Sequence, residues 1–308
     1  MKPFFSVIIP TYNRPDRLAV AVQSVVHQTF TDWELIVVDD GSTPPLDRAS
    51  LPLDDRIQLI SKTNAGPGAA RRYGVAQARG RYFCFLDDDD YFFPDHLSIL
   101  KNTLKRIDDP AAIVLRTSLM EDKQTRTLLT LPNSPAENAI RYPDYQNDHD
   151  TLLQYWQQPC GITSLCFSQR IIERVPIDPA PRIIEDFAWL SRVFTDYSLY
   201  QIAGPPTVAY VQHAHNRTLT DAHFLRVEER LQVVESAYQQ PGVALRVPRR
   251  IYRRLLQHQL CHAARQCLLA QENERAKQYF WRAFRYGPLL GWRDLLGVGW
   301  LWLRMLRH

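Results

Sequence analysis

The sequence lacks most of the features that would assign a chemistry at once. It contains neither G-x-G-x-x-G nor G-x-x-x-x-G-K-[S/T], so dinucleotide-binding and P-loop readings lose their main support. Its five cysteines, Cys84, Cys160, Cys166, Cys261 and Cys267, are an odd number with no C-x-x-C pair and no accompanying histidine cluster. That argues against a disulfide framework and against zinc, and reduced thiols in the cytoplasm are expected. No uncharged apolar run reaches 18 residues, so no membrane-spanning helix is expected. The opening Met1 to Asn13 has too short an apolar stretch and too early a proline for a secretory signal. Repeats and low-complexity segments are absent. Net charge is also small, +4 over 308 residues, but it is unevenly spread. From Pro241 onward there are 13 Lys and Arg against 3 Asp and Glu, while the first 240 residues carry 24 against 30. An acidic body with a basic tail suggests two parts with different partners, and the tail's charge alone admits nucleic acid or an anionic membrane surface.

What the sequence does contain is a set of apolar runs that end in polar residues. Tyr82-Phe83-Cys84-Phe85-Leu86 has no polar alternation and reads as a strand buried on both faces. It runs straight into Asp87, Asp88, Asp89 and Asp90, whose mutual repulsion calls for something cationic nearby. Phe5 to Ile9 is a similar strand stopped by Pro10-Thr11-Tyr12-Asn13, and Glu34 to Val38 is another, stopped by Asp39-Asp40-Gly41-Ser42. Arg56 to Ile60 is a further strand. Helices are expected from Arg14-Pro15-Asp16, over Ala69 to Ala78 after an Asn64 to Gly68 loop, and over Asp95 to Ile107. A fifth strand is expected over Ala111 to Ser118, while 121–150 gives no clear pattern. Gly161 to Phe167, Tyr197 to Ile202 and Thr207 to Val211 read as strands, and Gln169 to Arg174 and a segment opening at Ile184-Glu185-Asp186 as helices. From about residue 221 the pattern is helical, with breaks at Gln240-Pro241-Gly242 and near Tyr286-Gly287-Pro288.

This order implies an α/β layer with a largely parallel sheet flanked by helices, followed by a helical C-terminal region. Ligands of such sheets sit outside the carboxyl ends of the strands, where three of these strands deliver their polar residues. Carboxylates at two strand ends suit a divalent cation such as Mg²⁺ or Mn²⁺ bridging a diphosphate, because both ions prefer oxygen ligands. Each feature also has a plain structural counterpart. Asp39 to Ser42 could be a turn held by Asx bonds, Asn13 a helix cap, Arg71 and Arg72 an exposed helix face, and Asp186 an acid favoured by a helix dipole.

The motifs "FSVIIPTYNRPDRLAVAVQSVVHQTFTDWELIVVDDGS", "NAGPGAARRYGVAQARGRYFCFLDDDDYFFPDHL" and "CGITSLCFSQRIIERV…IIEDFAWLSRV" resemble, in order, those of family 2 glycosyltransferases. The resemblance covers about residues 4–220 and implies a GT-A fold over 1–220, with 221–308 as an added helical region. It implies that Pro10, Thr11 and Tyr12 line a nucleobase pocket, with Asn13 and Arg14 close by. Asp40, or Asp39 if the turn is shifted by one, would accept a hydrogen bond from uracil, and Arg71 would lie near the base and diphosphate. Asp87 and Asp89 would be the acids of a metal-binding D-x-D, with Asp88 between them and Asp90 a further acid beside it. Asp186 would be the general base, with Glu185 its neighbour, and His215, or His213 by a shift, would contact metal or diphosphate.

The expected reaction is metal-dependent, inverting transfer of a sugar from a nucleotide sugar, a UDP-sugar above all, to a glycan or lipid-linked hydroxyl in cell-surface polysaccharide synthesis. Two other readings are a catalytically silent nucleotide-sugar-binding module and a nucleotidyltransferase. The latter should carry a Gly-rich, basic loop after its first strand, which "PTYNRPDR" is not. The expected location is cytoplasmic, at the inner face of the cytoplasmic membrane if the tail touches lipid, with no nucleic-acid partner. In the tail, Trp292, Trp300 and Trp302 among Arg293, Arg304 and Arg307 suit either a packed helix or an interfacial one.

Overall fold

The computed structural model describes residues 2–107, 109–116, 118–121, 126–129, 140–141, 161–178, 185–197, 199–202, 204–211, 223–239, 249–269 and 271–287. These fall into two compact units, one made by the described residues up to 211 and one by those from 223.

In the first unit β1 (Phe5–Thr11) and β2 (Trp33–Asp39) are buried at every position. That is the physical reason neither alternates polar with apolar residues. Helix α1 (Pro15–Val26) buries Leu18, Ala21, Val22 and Val25 at helical spacing, with Pro15 in its first turn. Strand β3 (Ile57–Ser61) and helix α2 (Pro67–Gln77) follow. Pro67 and Gly68, expected in a loop, already belong to α2, because a proline at the first helical position forfeits no hydrogen bond. Then come β4 (Tyr82–Phe85), β5 (Tyr91–Phe92) and α3 (His96–Arg106). The later strands are β6 (Ile113–Arg116), β7 (Ser118–Glu121), β8 (Arg126–Leu129), β9 (Ile140–Arg141), β10 (Leu165–Ser168), β11 (Leu199–Ile202) and β12 (Val208–Val211). A 3-10 turn over Ile162–Ser164 replaces the first half of the strand expected from Gly161. Helices α4 (Gln169–Arg174) and α5 (Glu185–Asp196) complete the unit.

One sheet runs β3-β2-β1-β4-β10-β6-β11-β9 and a second runs β5-β12-β7-β8. The first four strands of the large sheet are mutually parallel. The expected mostly parallel sheet is present, and beyond these four strands β6 and β11 are parallel as well. Strand β10 is antiparallel to both β4 and β6, and β9 is antiparallel to β11, so that half is mixed. The core lies where α1 and α3 cover the sheet, with Val7, Ile9, Leu35, Val37, Leu97 and Leu100 all fully buried. Each such side chain contributes about 1.5–3 kcal/mol by leaving water. On α5, Trp189 is fully buried, donates its indole N–H to the Val175 carbonyl at 2.7 Å and packs on Phe85 and Phe167. This anchor sets where Glu185 and Asp186 stand.

The second unit contains helices His223–Gln239, Arg249–Leu269 and Asn273–Phe284. The first ends one residue before Gln240-Pro241-Gly242, and the last ends before Tyr286-Gly287. A further break, at Gln271 with φ +62°, was not signalled by any proline or glycine. Among the described residues no helix is long and apolar enough to cross a membrane.

Helix α2 lies close over β1 and β2 because Gly74 has no side chain. A Cβ there would sit 2.6 Å from Ile8 Cγ2 and 3.0 Å from Val38 Cγ2. Gly74→Ala is therefore expected to lower unfolding stability by about 1–3 kcal/mol, the usual cost of overpacking, in a chemical denaturation series. An unchanged midpoint would show that the helix can move off the sheet.

Candidate functional site

Parallel register brings the polar strand ends together. Thr11 pairs with Asp39 across β1–β2, and Asp39 with Ser61 across β2–β3, so three strands end in one row. The chain steps outward from β1 to β2 to β3, then returns to lay β4 on the other side of β1. Between β1 and β4 the strand order therefore reverses, and such a switch point opens a crevice at the carboxyl ends. Backbone pairing continues past β4, with the Leu86 N–H donating to the Ile8 carbonyl at 3.0 Å, which carries the acidic run into that crevice.

There Thr11 Oγ1 donates to Asp88 Oδ2 at 2.7 Å. Arg14 Nη1 reaches Asp88 Oδ1 at 3.2 Å and Asp89 Oδ2 at 2.8 Å. Arg71, only 4% exposed, places Nη2 on Asp87 Oδ1 at 2.5 Å and Nη1 on Glu185 Oε1 at 2.9 Å. The repulsion within the run is thus met by two guanidinium groups of the chain itself. Asp90 faces away from them, accepting from the Val211 N–H at 3.1 Å and from Thr163 Oγ1 at 3.3 Å.

Burial pushes the Asp88 carboxyl up to about 6, with Asp89 and Asp87 adding to the rise and Thr11 and Arg14 opposing it. The buried Asp90 is raised well above the usual carboxylate range, first by burial and then by Asp87 and Asp89. Glu185 is raised too, by burial and by Asp186, against the pull of Arg71. Burial works against the charge of Arg71, but Asp87, Glu185 and Asp186 outweigh it and hold the guanidinium protonated.

The other expected site residues occupy the same rim with distinct local roles. Pro10 is buried in β1, whereas Tyr12, 42% exposed, presents its ring at the rim. Asn13 does not cap α1. At φ +54°, in the left-handed region Asn tolerates, it donates its N–H to Ser42 Oγ at 2.9 Å and accepts from the Thr43 N–H at 2.8 Å. This joins the loops after β1 and β2. Asp39 holds the second loop from within, accepting from the N–H groups of Ser42 and Leu46 at 2.9 and 3.1 Å. Asp40 accepts from Lys62 Nζ at 2.7 Å, from the Ala65 N–H at 3.1 Å and from the Gly66 N–H at 2.7 Å. Gly66 supports this at φ +93°, a conformation that side chains disfavour. The amides of the "NAGPG" loop are therefore directed at Asp40. Asp186 is half-buried at the second position of α5, next to Glu185 and within the field of Arg71.

His213, His215 and the tail residues Trp292, Trp300 and Trp302 lie outside the described residues. Lys62 and Thr163 belong to the site and carried no signal in the sequence beyond standing next to strand ends. A separate pocket of about 420 Å³ runs along the opposite ends of β2 and β3, lined by Glu34, Arg48, Asp55, Arg56 and Arg79 among others. Its arginines are engaged by backbone carbonyls and by Asp54 and Glu34, so the chemistry belongs to the crevice.

Comparison with known proteins agrees with this geometry. Residues 6–174 match the family model described as Glycosyl transferase family 2, and the chain belongs to that family. An uncharacterized glycosyltransferase of Rickettsia typhi is 33% identical over 126 residues, covering 41% of this chain and 40% of the relative. The succinoglycan biosynthesis protein ExoO of Rhizobium meliloti is 28% identical over 238 residues, 71% of this chain and 63% of that one. The chain thus spans less than two thirds of the length of these curated relatives. Residues 1–349 of S. aureus TarS, solved with UDP, superimpose with a TM-score of 0.59 at 17% identity, over 83% of this chain and 71% of that one. This likeness establishes a shared GT-A α/β fold.

The Asp88 shift has a stability consequence whose sign follows from linkage. The fold prefers this carboxyl neutral, so the group's contribution is fully present below its ordinary value of 3.8 and is lost as pH rises through about 6. The loss amounts to at most ~3 kcal/mol. In chelator, Asp88→Asn is expected to flatten the fall in stability over that window in thermal unfolding followed by circular dichroism. An identical pH slope in both proteins would contradict the assignment.

Proposed function

We infer that the protein is an inverting glycosyltransferase that moves a sugar from a UDP-sugar to a hydroxyl of a glycan or lipid-linked acceptor, in the assembly of cell-surface polysaccharide. The observation that carries this is the crevice between β1 and β4, where Thr11, Arg14 and Arg71 converge on Asp87, Asp88 and Asp89. Membership of the family, the likeness to ExoO and the likeness of fold to TarS, solved with UDP and with UDP-GlcNAc, support the reading.

In this reading the exposed ring of Tyr12 stacks on the nucleobase, and Asp40 meets its polar edge by sharing the carboxylate that holds Lys62. Asp186 takes the proton of the acceptor hydroxyl while its oxygen attacks the anomeric carbon. The bond from that carbon to the diphosphate oxygen breaks, and inversion follows. Arg71, between Asp87 and Glu185, keeps positive charge where the leaving group becomes more negative.

A divalent cation, Mn²⁺ or Mg²⁺, fits the donor set. The run offers carboxylate oxygens, the donors such ions prefer, but among the described residues no group of three His, Cys, Asp or Glu gathers around a point, so the side chains alone do not complete a site. Asp87 and Asp89 would hold the cation, with the donor's phosphates supplying further oxygens. When bound, it would neutralise the departing diphosphate. The proposed setting is the cytoplasm, at the inner face of the cytoplasmic membrane.

Thermal unfolding with a panel of nucleotides tests the reading. UDP with Mn²⁺ is expected to raise the melting temperature by about 5–10 °C at ligand near 100 times its Kd, and chelator or Asp89→Ala to abolish the rise. With a UDP-sugar and acceptor the product should be a nucleoside diphosphate. Release of pyrophosphate would identify a nucleotidyltransferase, and nucleotide binding without any turnover a binding module. Indifference of the folded protein to every nucleotide would sink the proposal.

A further inference from the structure

The helical unit separates charge and aromatic surface along its length. Helices Arg249–Leu269 and Asn273–Phe284 form an antiparallel hairpin, closed where the Gln271 and Glu272 N–H groups donate back to the Leu268 and Cys267 carbonyls. Gln257, the ninth residue of the first helix, donates its Nε2 to the Gly287 carbonyl at 2.7 Å, and Tyr252 lies within the field of Tyr286, so the first turns of that helix run past the end of the second. Acidic residues within the hairpin, Glu272 and Glu274, stand at the closed end and pair there with Arg275 and Lys277. The open end, 249–262 with 281–287, has six arginines and no Asp or Glu. Of these Arg249, Arg250, Arg253, Arg254 and Arg285 are exposed, and Arg282 pairs with Glu228 of helix His223–Gln239. That helix also brings Glu235 to Tyr252 and Tyr286, so among the described residues arginines outnumber the acids placed at this end.

At the same end two large apolar side chains face solvent. Trp281 is 59% exposed and Phe284 46%, and their rings lie 6.1 Å apart. On the helix that carries them, Ala276, Tyr279, Phe280 and Ala283 point inward, and the two rings flank that face, each touching the buried Phe280 at 5.9 and 5.6 Å while its outer side meets solvent. An indole and a phenyl ring beside exposed arginines match the interfacial layer of an anionic bilayer. Aromatic side chains settle there at headgroup depth, and guanidinium groups meet lipid phosphates.

We propose that this open end docks the protein on anionic phospholipid, with Trp281 and Phe284 entering the headgroup layer and Arg249, Arg250, Arg253, Arg254 and Arg285 facing the phosphates. The inference concerns described residues up to 287 and stands apart from the donor site.

The test is co-sedimentation of the full chain with vesicles of phosphatidylglycerol and phosphatidylcholine, against vesicles of phosphatidylcholine alone. Binding is expected to the anionic vesicles only, with release at about 1 M salt, where the Debye length falls to about 3 Å. Trp281→Ala with Phe284→Ala, and separately Arg253→Glu with Arg254→Glu, should each weaken binding about tenfold or more. Both variants should keep the parent's melting temperature and its response to nucleotide. If the ring variant misfolds, the exposed arginine variant decides. Variants that bind like the parent would assign lipid contact elsewhere and overturn the proposal. Equal binding to neutral vesicles, or no binding to either, would overturn it too, as would a loss of self-association in the variants with vesicle binding unchanged.

Discussion

Two guanidinium groups make three adjacent carboxylates, Asp87, Asp88 and Asp89, tolerable at the end of a buried strand. Arg14 comes from the start of α1 and Arg71 from the buried face of α2, so the acidic run stays in place only while both helices sit on the sheet. The dependence runs the other way as well. Arg71 is fully enclosed and would be costly to bury without Asp87 and Glu185 beside it, because removing one partner of a buried pair leaves an uncompensated charge. The packing of α2, the start of α5 and the end of β4 are therefore one electrostatic unit, with the crevice at its centre.

The loops around that centre are organised by the same economy of donors and acceptors. Asp39 and Asp40 are neighbours in sequence yet serve different segments. One holds its own loop after β2 and the other reaches across to the residues before α2. Asn13 ties the first strand's loop to the second. A nucleotide entering here would meet a rim already shaped by these bonds, and its polar groups would have to share acceptors in use.

Much of this was legible in the sequence wherever a strand is buried on both faces. Phe5 to Ile9, Glu34 to Val38 and Tyr82 to Leu86 have no polar alternation, and each stops at residues the site uses. The antiparallel β10 was not legible in direction, since a four-residue strand carries no mark of which way it runs. The second sheet was harder still, because β5 is two residues long and β7, β8 and β12 only four each, too short to show a period. Arg71 and Arg72 look alike as letters, yet one is buried and the other exposed. The small residues Gly68, Ala70 and Gly74 on the buried face of α2 were the available hint that this face is packed. The partners of the aspartates were read as coming from a metal and a diphosphate, and two arginines already stand there.

Strand β4 belongs to the large sheet and β5 to the small one, and the only chain between them is Leu86 to Asp90. The acidic run is therefore also a bridge of set span. At its far side Asp90 is pinned to β12 by the Val211 N–H, and β5 pairs with that same strand through Phe92 and Tyr91. Removing or adding one residue in the run would slip β5 against β12 and turn the buried Phe92 outward, since side chains alternate faces along a strand. Substitution can change the chemistry of the run, but its length is held by two sheets at once.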